Sequence, residues 1–252
     1  MRYIGSKRRI AKEILSIILN DRKPGQWYVE PFVGGCNTID KVTGNRLGSD
    51  INKYLISMLI ALQDGWIPPD ILTEEEYLNI KNNREMYPDH MVGFAGIGCS
   101  FGCKWFGSFS KGKRENGEVR NYALEFKRNL LEQQSLLQGI EFVTYDYLDL
   151  NLPNNSIVYC DPPYSKTEKG LYVKEINMTE FWAWVEEQEN KGHLIYISEY
   201  EAPSNFDCLW AKPSLPSFWT RARGRETVKQ SIEKLFRIRG KNSFYQSQLS
   251  FK

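Results

Sequence analysis

The sequence predicts a doubly wound α/β fold, and three stretches predict it. The apolar run Ile157-Val158-Tyr159-Cys160 reads as a buried strand, and Asp161-Pro162-Pro163 stops it because prolines supply no ladder donors. Trp27-Tyr28-Val29-Glu30 reads as a short strand running into Pro31-Phe32-Val33-Gly34-Gly35. A strand, paired glycines and then a helix is how such folds bring backbone close to a nucleotide-like ligand. Asn45 to Ser49 reads as the next strand, with Asp50 at its tip, where an acid accepts the ribose hydroxyls of an adenosine. All three tips belong on the carboxyl rim of the sheet, where open α/β folds bind ligands.

A chain of 252 residues is long enough for one large α/β unit with a sizeable insertion, or for two small domains, and 41% hydrophobic content is ordinary for a globular protein. No apolar run approaches the ~20 residues of a membrane span, and the N-terminus lacks a signal-peptide pattern, so a cytoplasmic protein is expected. Five scattered cysteines argue against a disulfide framework. Cys99 and Cys103 have a ligand-like spacing, but the only histidines, His90 and His193, complete no ligand set, and no metal is expected.

The net charge is only +2, yet it is unevenly spread. Lys212 to Lys241 holds nine cations against two acids, and Lys104 to Arg128 holds seven against three. Ala61 to Met91 reverses the sign, with seven acids against two bases. A polyanion would be drawn to two patches rather than to the whole surface.

Taken in order, Ser6 is positioned as an N-cap, and Ile10, Ile14 and Ile17/Ile18 recur at helical spacing. Lys7, Arg8, Arg9 and Lys12 fall outside or at the rim; cations suit a helix start poorly, and an anion would relieve them. Asn52 caps the helix that follows Asp50, in which Tyr54, Leu55, Met58, Leu59 and Leu62 make an apolar face. These elements, residues 1–64, form the first part of the catalytic unit.

Residues 65–139 depart from β/α alternation and read as an inserted subdomain. Thr73 caps an acidic helix, and from Gly93 to Gly117 glycines interrupt a stretch rich in aromatics, which argues for close-packed loops or hairpins over a regular helix. Lys111 to Gly117 reads as a basic hairpin tip with Asn116-Gly117 as its turn. Lys111 and Lys113 suit phosphates, and Arg114, Asn116, Arg120 and Asn121 suit base edges, so the segment reads either as a nucleic-acid contact or as a folded accessory subdomain whose aromatics are core.

A helix from Tyr122 to Gln138 leads into residues 140–252, the second part of the catalytic unit. Ile140 to Thr144 is a strand, and Asp146 just beyond it either accepts the amine of a bound adenosine, with Tyr147 flanking the ring, or closes an Asx turn. Ser165 to Ile176 suits a lid over the site. Phe181 opens a covering helix, Leu194 to Ser198 is a buried strand, and Ser198-Glu199-Tyr200 ends it on the active rim. His193 reads as a strand-edge residue. Phe206 to Ala211 and Ser231 to Ile238 read as closing strands, with a phosphate-clamping loop carrying Arg221, Arg223 and Arg225 between them.

The stretch Asp161-Pro162-Pro163-Tyr164 presents a carboxylate, stiff backbone carbonyls and an aromatic face together. Asp161 and the Pro162 carbonyl can each accept one N–H of an exocyclic amine while Tyr164 stacks on its ring. Two acceptors draw the amine lone pair out of conjugation and sharpen it as a nucleophile, which is the chemistry of amino-methylation.

Together with Pro31-Phe32-Val33-Gly34-Gly35 and Tyr3-Ile4-Gly5-Ser6-Lys7, this stretch resembles the Dam-like (D12 class) adenine-N6 DNA methyltransferases. The resemblance implies a doubly wound methyltransferase fold with an inserted DNA-recognition subdomain, using S-adenosyl-L-methionine. It implies that Asp161, Pro162, Pro163 and Tyr164 hold the target amine. By the same resemblance Phe32, Gly34 and Gly35 hold the cofactor, Tyr3 and Lys7 close over it, and Asp50 takes its ribose. The missing three-glycine fingerprint independently disfavours a nicotinamide or flavin cofactor.

The reading is therefore a methyltransferase acting on N6 of an adenine flipped from double-stranded DNA, with no membrane and no obligate protein partner expected. RNA adenine, cytosine N4 and a DNA-binding relative without catalysis are the rivals. The recognition sequence and the biological role, restriction-modification among the possibilities, are not legible.

Overall fold

The computed structural model describes residues 1–163, 176–213 and 232–240. Seven strands form one sheet: β1 Tyr28–Glu30, β2 Arg46–Ser49, β3 Ile140–Val143, β4 Ile157–Cys160, β5 Leu194–Glu199, β6 Phe206–Pro213 and β7 Ile232–Ile238. Their order is β3-β2-β1-β4-β5-β7-β6. The first five run parallel, and β7 is antiparallel to both neighbours. Strand order reverses between β1 and β4, which places a ligand crevice at their carboxyl ends.

Burial on two sides makes the strands alternate. Tyr28, Ile157, Tyr159, Tyr196 and Leu235 enter one core, whereas Val29, Val158, Cys160, Ile195, Ile197 and Phe236 enter the other. Helices α1 (Ala11–Ile18), α2 (Lys53–Gln63) and α5 (Tyr122–Leu137) cover the first face. Helix α6 (Met178–Asn190) covers the second with Phe181, Trp184 and Val185. Asn52 caps α2 by accepting from Tyr54 N and Leu55 N, and Thr73 and Glu76 form a capping box on α3 (Glu74–Asn82). Among the described residues, no helix is long and apolar enough to cross a membrane.

Three local expectations are corrected. Helix α1 starts at Ala11 without a side-chain cap, and Ser6 instead accepts from Arg8 N in a preceding turn. No α-helix follows Gly35; the short β1–β2 connection holds only a 3₁₀ turn, Ile39–Lys41, because left-handed Gly34 and Cys36 turn the chain sharply. Gly93, Gly96 and Gly98 lie inside helical structure, α4 (Asp89–Gly93) continuing into a π-helical turn, Phe94–Gly98. The absence of side chains there lets this segment press against its neighbours; a Cβ on Gly98 would sit 1.9 Å from the Phe126 ring. Phe94, Ile97 and Phe126 belong to the same core as Ile14 and Leu55, so segment 65–139 shares its interior with the sheet.

Candidate active site

The site is assembled on the carboxyl rim. Past β1, Val33 N donates to Ser49 O at 2.8 Å and Gly34 N donates to Asp50 Oδ2 at 3.2 Å, binding the glycine turn to the tip of β2. Gly34 takes φ +46°, and its Cα lies under the Tyr3 ring, where a Cβ would come within 2.8 Å of the ring. A Cβ on Gly35 would lie 2.6 Å from Tyr3 Cβ and 2.7 Å from Asn37 Nδ2. The glycine pair is therefore what seats Tyr3. Gln133 of α5 donates to both Gly35 O and Cys36 O, pinning the turn from behind.

Beside this turn lies a cavity of about 180 Å³. Tyr3, Phe32, Gly34, Asp50, Asp146, Tyr147, Asp161 and Pro163 line it, which brings together most of the residues expected to meet the cofactor or the target. Gly35, Pro162 and Lys7 are not part of the lining.

Asp50 accepts from Asn52 N at 2.9 Å as well as from Gly34, and burial pushes its carboxyl up to about 6. Asp146 accepts from Leu148 N, the Asx-type turn expected of it, and also lines the cavity. Tyr147 packs its ring 5.2 Å from Phe32 and 5.3 Å from Trp184, and burial pushes its phenol up to about 12.

Asp161 follows β4 and lies 3.0 Å through Oδ1 from Lys7 Nζ. Lys7 also lies 3.7 Å from Glu233 of β7 and donates to Gly5 O. Burial opposes its charge, but Asp161 and Glu233 outweigh burial and raise its pKa, so the ammonium stays charged. The structure thus places Lys7 against the Asp161 carboxylate. Glu30, on β1 beside it, is buried and pushed up to about 8 by desolvation, despite hydrogen bonds with Thr38 and Tyr28. Desolvation thus favours its protonated form.

Several cavity residues escaped sequence reasoning. Ile97, Cys103 and Trp105 reach it from the 65–139 segment, and Asn177 and Glu180 from the start of α6. Trp105 stacks on Tyr54 at 5.6 Å and is flanked by left-handed Cys103 (φ +58°) and Phe106 (φ +40°). Bulky residues at positive φ cost free energy and gather at functional sites. The one available signal was the density of glycines and aromatics. Ser198, Glu199 and Tyr200 do not line this cavity, and His193 is structural, its Nδ1 accepting from Ser156 N at 3.2 Å.

The expected hairpin forms: Lys113 bridges Val119, Arg114 N donates to Glu118 O, and Gly117 turns the chain at φ +82°. Lys113 and Asn116 are exposed at its tip. Lys111 pairs with Glu74, Arg114 with Glu118 and Arg120 with Glu125. Asn121 caps α5 through Leu124 N and donates to Asp70 O. Glu125 also pairs with Arg2, next to Tyr3, so the base of the hairpin adjoins the cavity. Tyr164, the lid residues 165–175, and Arg221, Arg223 and Arg225 lie outside the described residues. Among the described residues, no three metal-ligating side chains converge, and burial pushes the Cys99 thiol up to about 12.

A family profile described as D12 class N6 adenine-specific DNA methyltransferase matches residues 3–195. No curated protein matches the chain. Among solved structures, the candidate methyltransferase yhhF from Escherichia coli is similar at 12% identity and TM-score 0.35, over 94% of this chain and 97% of its own. SMU.472, a candidate methyltransferase complexed with SAH, is similar at 11% identity and TM-score 0.37, over 95% of this chain and 54% of its own. A human methyltransferase 10 domain containing protein is similar at 8% identity and TM-score 0.35, over 94% and 84% respectively.

Proposed function

Because the chain belongs to the D12 class N6 adenine-specific DNA methyltransferase family, we propose that it methylates N6 of an adenine flipped out of double-stranded DNA. The observation that carries this reading is that Asp161 and Pro163, just past the end of β4, line the same cavity as the glycine turn and Asp50. The family's methyl donor is S-adenosyl-L-methionine, and this cavity fits it. Tyr3 lies over backbone that only glycine allows, an acid stands at the tip of β2, and Phe32 and Tyr147 offer aromatic edges. When bound, the donor supplies an electrophilic methyl group.

The chain's own residues do the rest by placement. Asp161 and the Pro162 carbonyl accept the two N–H groups of the target amine, which frees the nitrogen lone pair to point at the methyl carbon. Tyr164 stacks on the base. Lys7 fixes the Asp161 carboxylate, and the neutral Glu30 braces β1 beside it without adding a second negative charge. Rate enhancement then comes from positioning and preorganised acceptors rather than from a general base. Lys111, Lys113, Arg114, Asn116, Arg120, Asn121, Arg221, Arg223 and Arg225 are proposed as DNA contacts, with Lys113 and Asn116 the most openly presented, and residues 65–139 as the recognition insert. The same reading expects the protein in the cytoplasm with its DNA.

Methyl transfer from labelled S-adenosyl-L-methionine into unmethylated duplex DNA, followed by nucleoside digestion, tests this. Label in N6-methyladenine with wild type, and none with Asp161→Ala, is the expected result. Label in cytosine or only in RNA would overturn the substrate assignment.

A further inference from the structure

The N-terminal segment carries a second charge pattern that the catalytic cavity does not use. Between Arg2 and Glu13 there are five cations and one acid. Arg2 is paired with Glu125, Lys7 with Asp161 and Glu233, and Glu13 with Lys212. Arg8, Arg9 and Lys12 remain, all exposed, and none has an ion-pair partner among the described residues. They contrast with the cations of the hairpin base, Lys111 and Arg120, and with Lys127, each held by a carboxylate.

Their placement is unfavourable for the fold alone. Helix α1 begins at Ala11, has no side-chain cap, and turns Ala11, Ile14, Leu15 and Ile18 into the core, leaving Lys12 outward with Arg8 and Arg9 just before it. Cations beside the positive end of a helix repel its exposed N–H groups, so the fold gains nothing from them there. Nor do they line the cavity. They are, however, contiguous with Lys7, whose ammonium touches Asp161, so the cluster borders the point at which a flipped base enters. Three exposed cations without an ion-pair partner among the described residues, spread over a turn and a helix start, match a row of phosphates better than one small anion.

We infer that Arg8, Arg9 and Lys12 form a phosphate-contact surface that grips the DNA backbone beside the flipped adenine, separate from the 111–121 hairpin. This rests on the DNA reading above. The surface positions the duplex and reads no sequence, since phosphate contacts carry none.

The test is duplex binding by fluorescence anisotropy across a salt series, comparing wild type with the triple variant Arg8→Gln, Arg9→Gln, Lys12→Gln. Lys23→Gln is the control: Lys23 is also exposed, but its loop is tied through Gln26 to Asn155, before β4, on the opposite rim. Each lost phosphate contact removes about 0.9 from the slope of log K against log salt, so the triple variant should flatten it by roughly two to three. The loss should be equal for duplexes with and without adenine targets, Lys23→Gln should match wild type, and S-adenosyl-L-methionine binding should stay unchanged throughout. A wild-type slope in the triple variant, or equal flattening per charge in Lys23→Gln, overturns the surface while leaving the DNA reading intact. A wild type that binds no duplex DNA, or a slope change seen on RNA alone, overturns the DNA reading and this surface with it.

Discussion

Replacing Lys7 by Gln separates two roles for that residue. Its Nζ lies 3.0 Å from Asp161 and 3.7 Å from Glu233, with the Lys7 side chain 8% exposed and the two carboxylates 23% and 18% exposed. Removing a cation from a fully buried pair costs about 3–5 kcal/mol, and partial exposure of both carboxylates reduces that to about 2 kcal/mol of stability. The larger effect falls on the reaction. Without the ammonium, Asp161 loses one of the contacts that hold it, and a shift of about 1 Å in a positioning group lowers kcat on the order of 100-fold, equivalent to about 2.7 kcal/mol of barrier.

Steady-state kinetics combined with calorimetric titration of S-adenosyl-L-methionine distinguishes the alternatives. The pairing with Asp161 requires kcat to fall while the dissociation constant of the methyl donor stays near wild type. Lys7→Arg, which keeps a cation, should recover part of kcat and guards against a folding defect. An unchanged kcat with weakened donor binding would refute the reasoning and make Lys7 a cofactor contact first.

Two further outcomes follow from the same architecture. Glu30 has a folded pKa raised above its unfolded value, so the stability it contributes is full below about pH 4.5 and is lost as pH rises through about 8. Urea midpoints should therefore decline over that interval in wild type, and Glu30→Gln should flatten the decline; an identical pH profile in the variant would show that Glu30 is ionised in the fold. Gly98→Ala places a methyl 1.9 Å from Phe126 and should lower stability by about 1–3 kcal/mol through overpacking, read as a lower melting temperature. A melting temperature at or above wild type would mean that the π-helical turn relaxes freely.

Much of the sheet is legible because doubly buried strands are apolar runs with sharp ends. Ile157–Cys160 stands where Asp161-Pro162-Pro163 requires it, and Leu194–Glu199 differs from expectation by one residue. Caps are legible for a related reason: Asn52 and Thr73 act on backbone two or three residues away. The glycine turn, Asp50 and Asp161 could be assigned to one cavity because parallel strands put their tips on one rim.

What was hidden depends on partners distant in the chain. Gly93, Gly96 and Gly98 look like helix breakers until Tyr54, Phe106 and Phe126 are seen to fill the space they leave. Trp105 entered the cavity unannounced because its position is set by stacking on Tyr54 and by two left-handed neighbours, neither of which leaves a periodic trace. The pairing of Lys7 with Asp161 crosses most of the chain, and no local pattern encodes it. Nor does local pattern show that Glu30, at a strand end, is sealed from water.

The shared interior of segment 65–139 and the sheet limits how this enzyme can be re-engineered or can diverge. Trp105, Ile97 and Cys103 line the cavity from within the very segment that carries the hairpin, and Phe94 and Phe126 pack it into the main core. Transplanting the segment whole from a relative would exchange part of the cavity wall along with the hairpin, and chimaeras joined near its ends should fail as folded proteins. On the proposed reading of the hairpin, a new specificity should come from changing its tip, from Lys111 to Arg120, while the aromatic base stays in place.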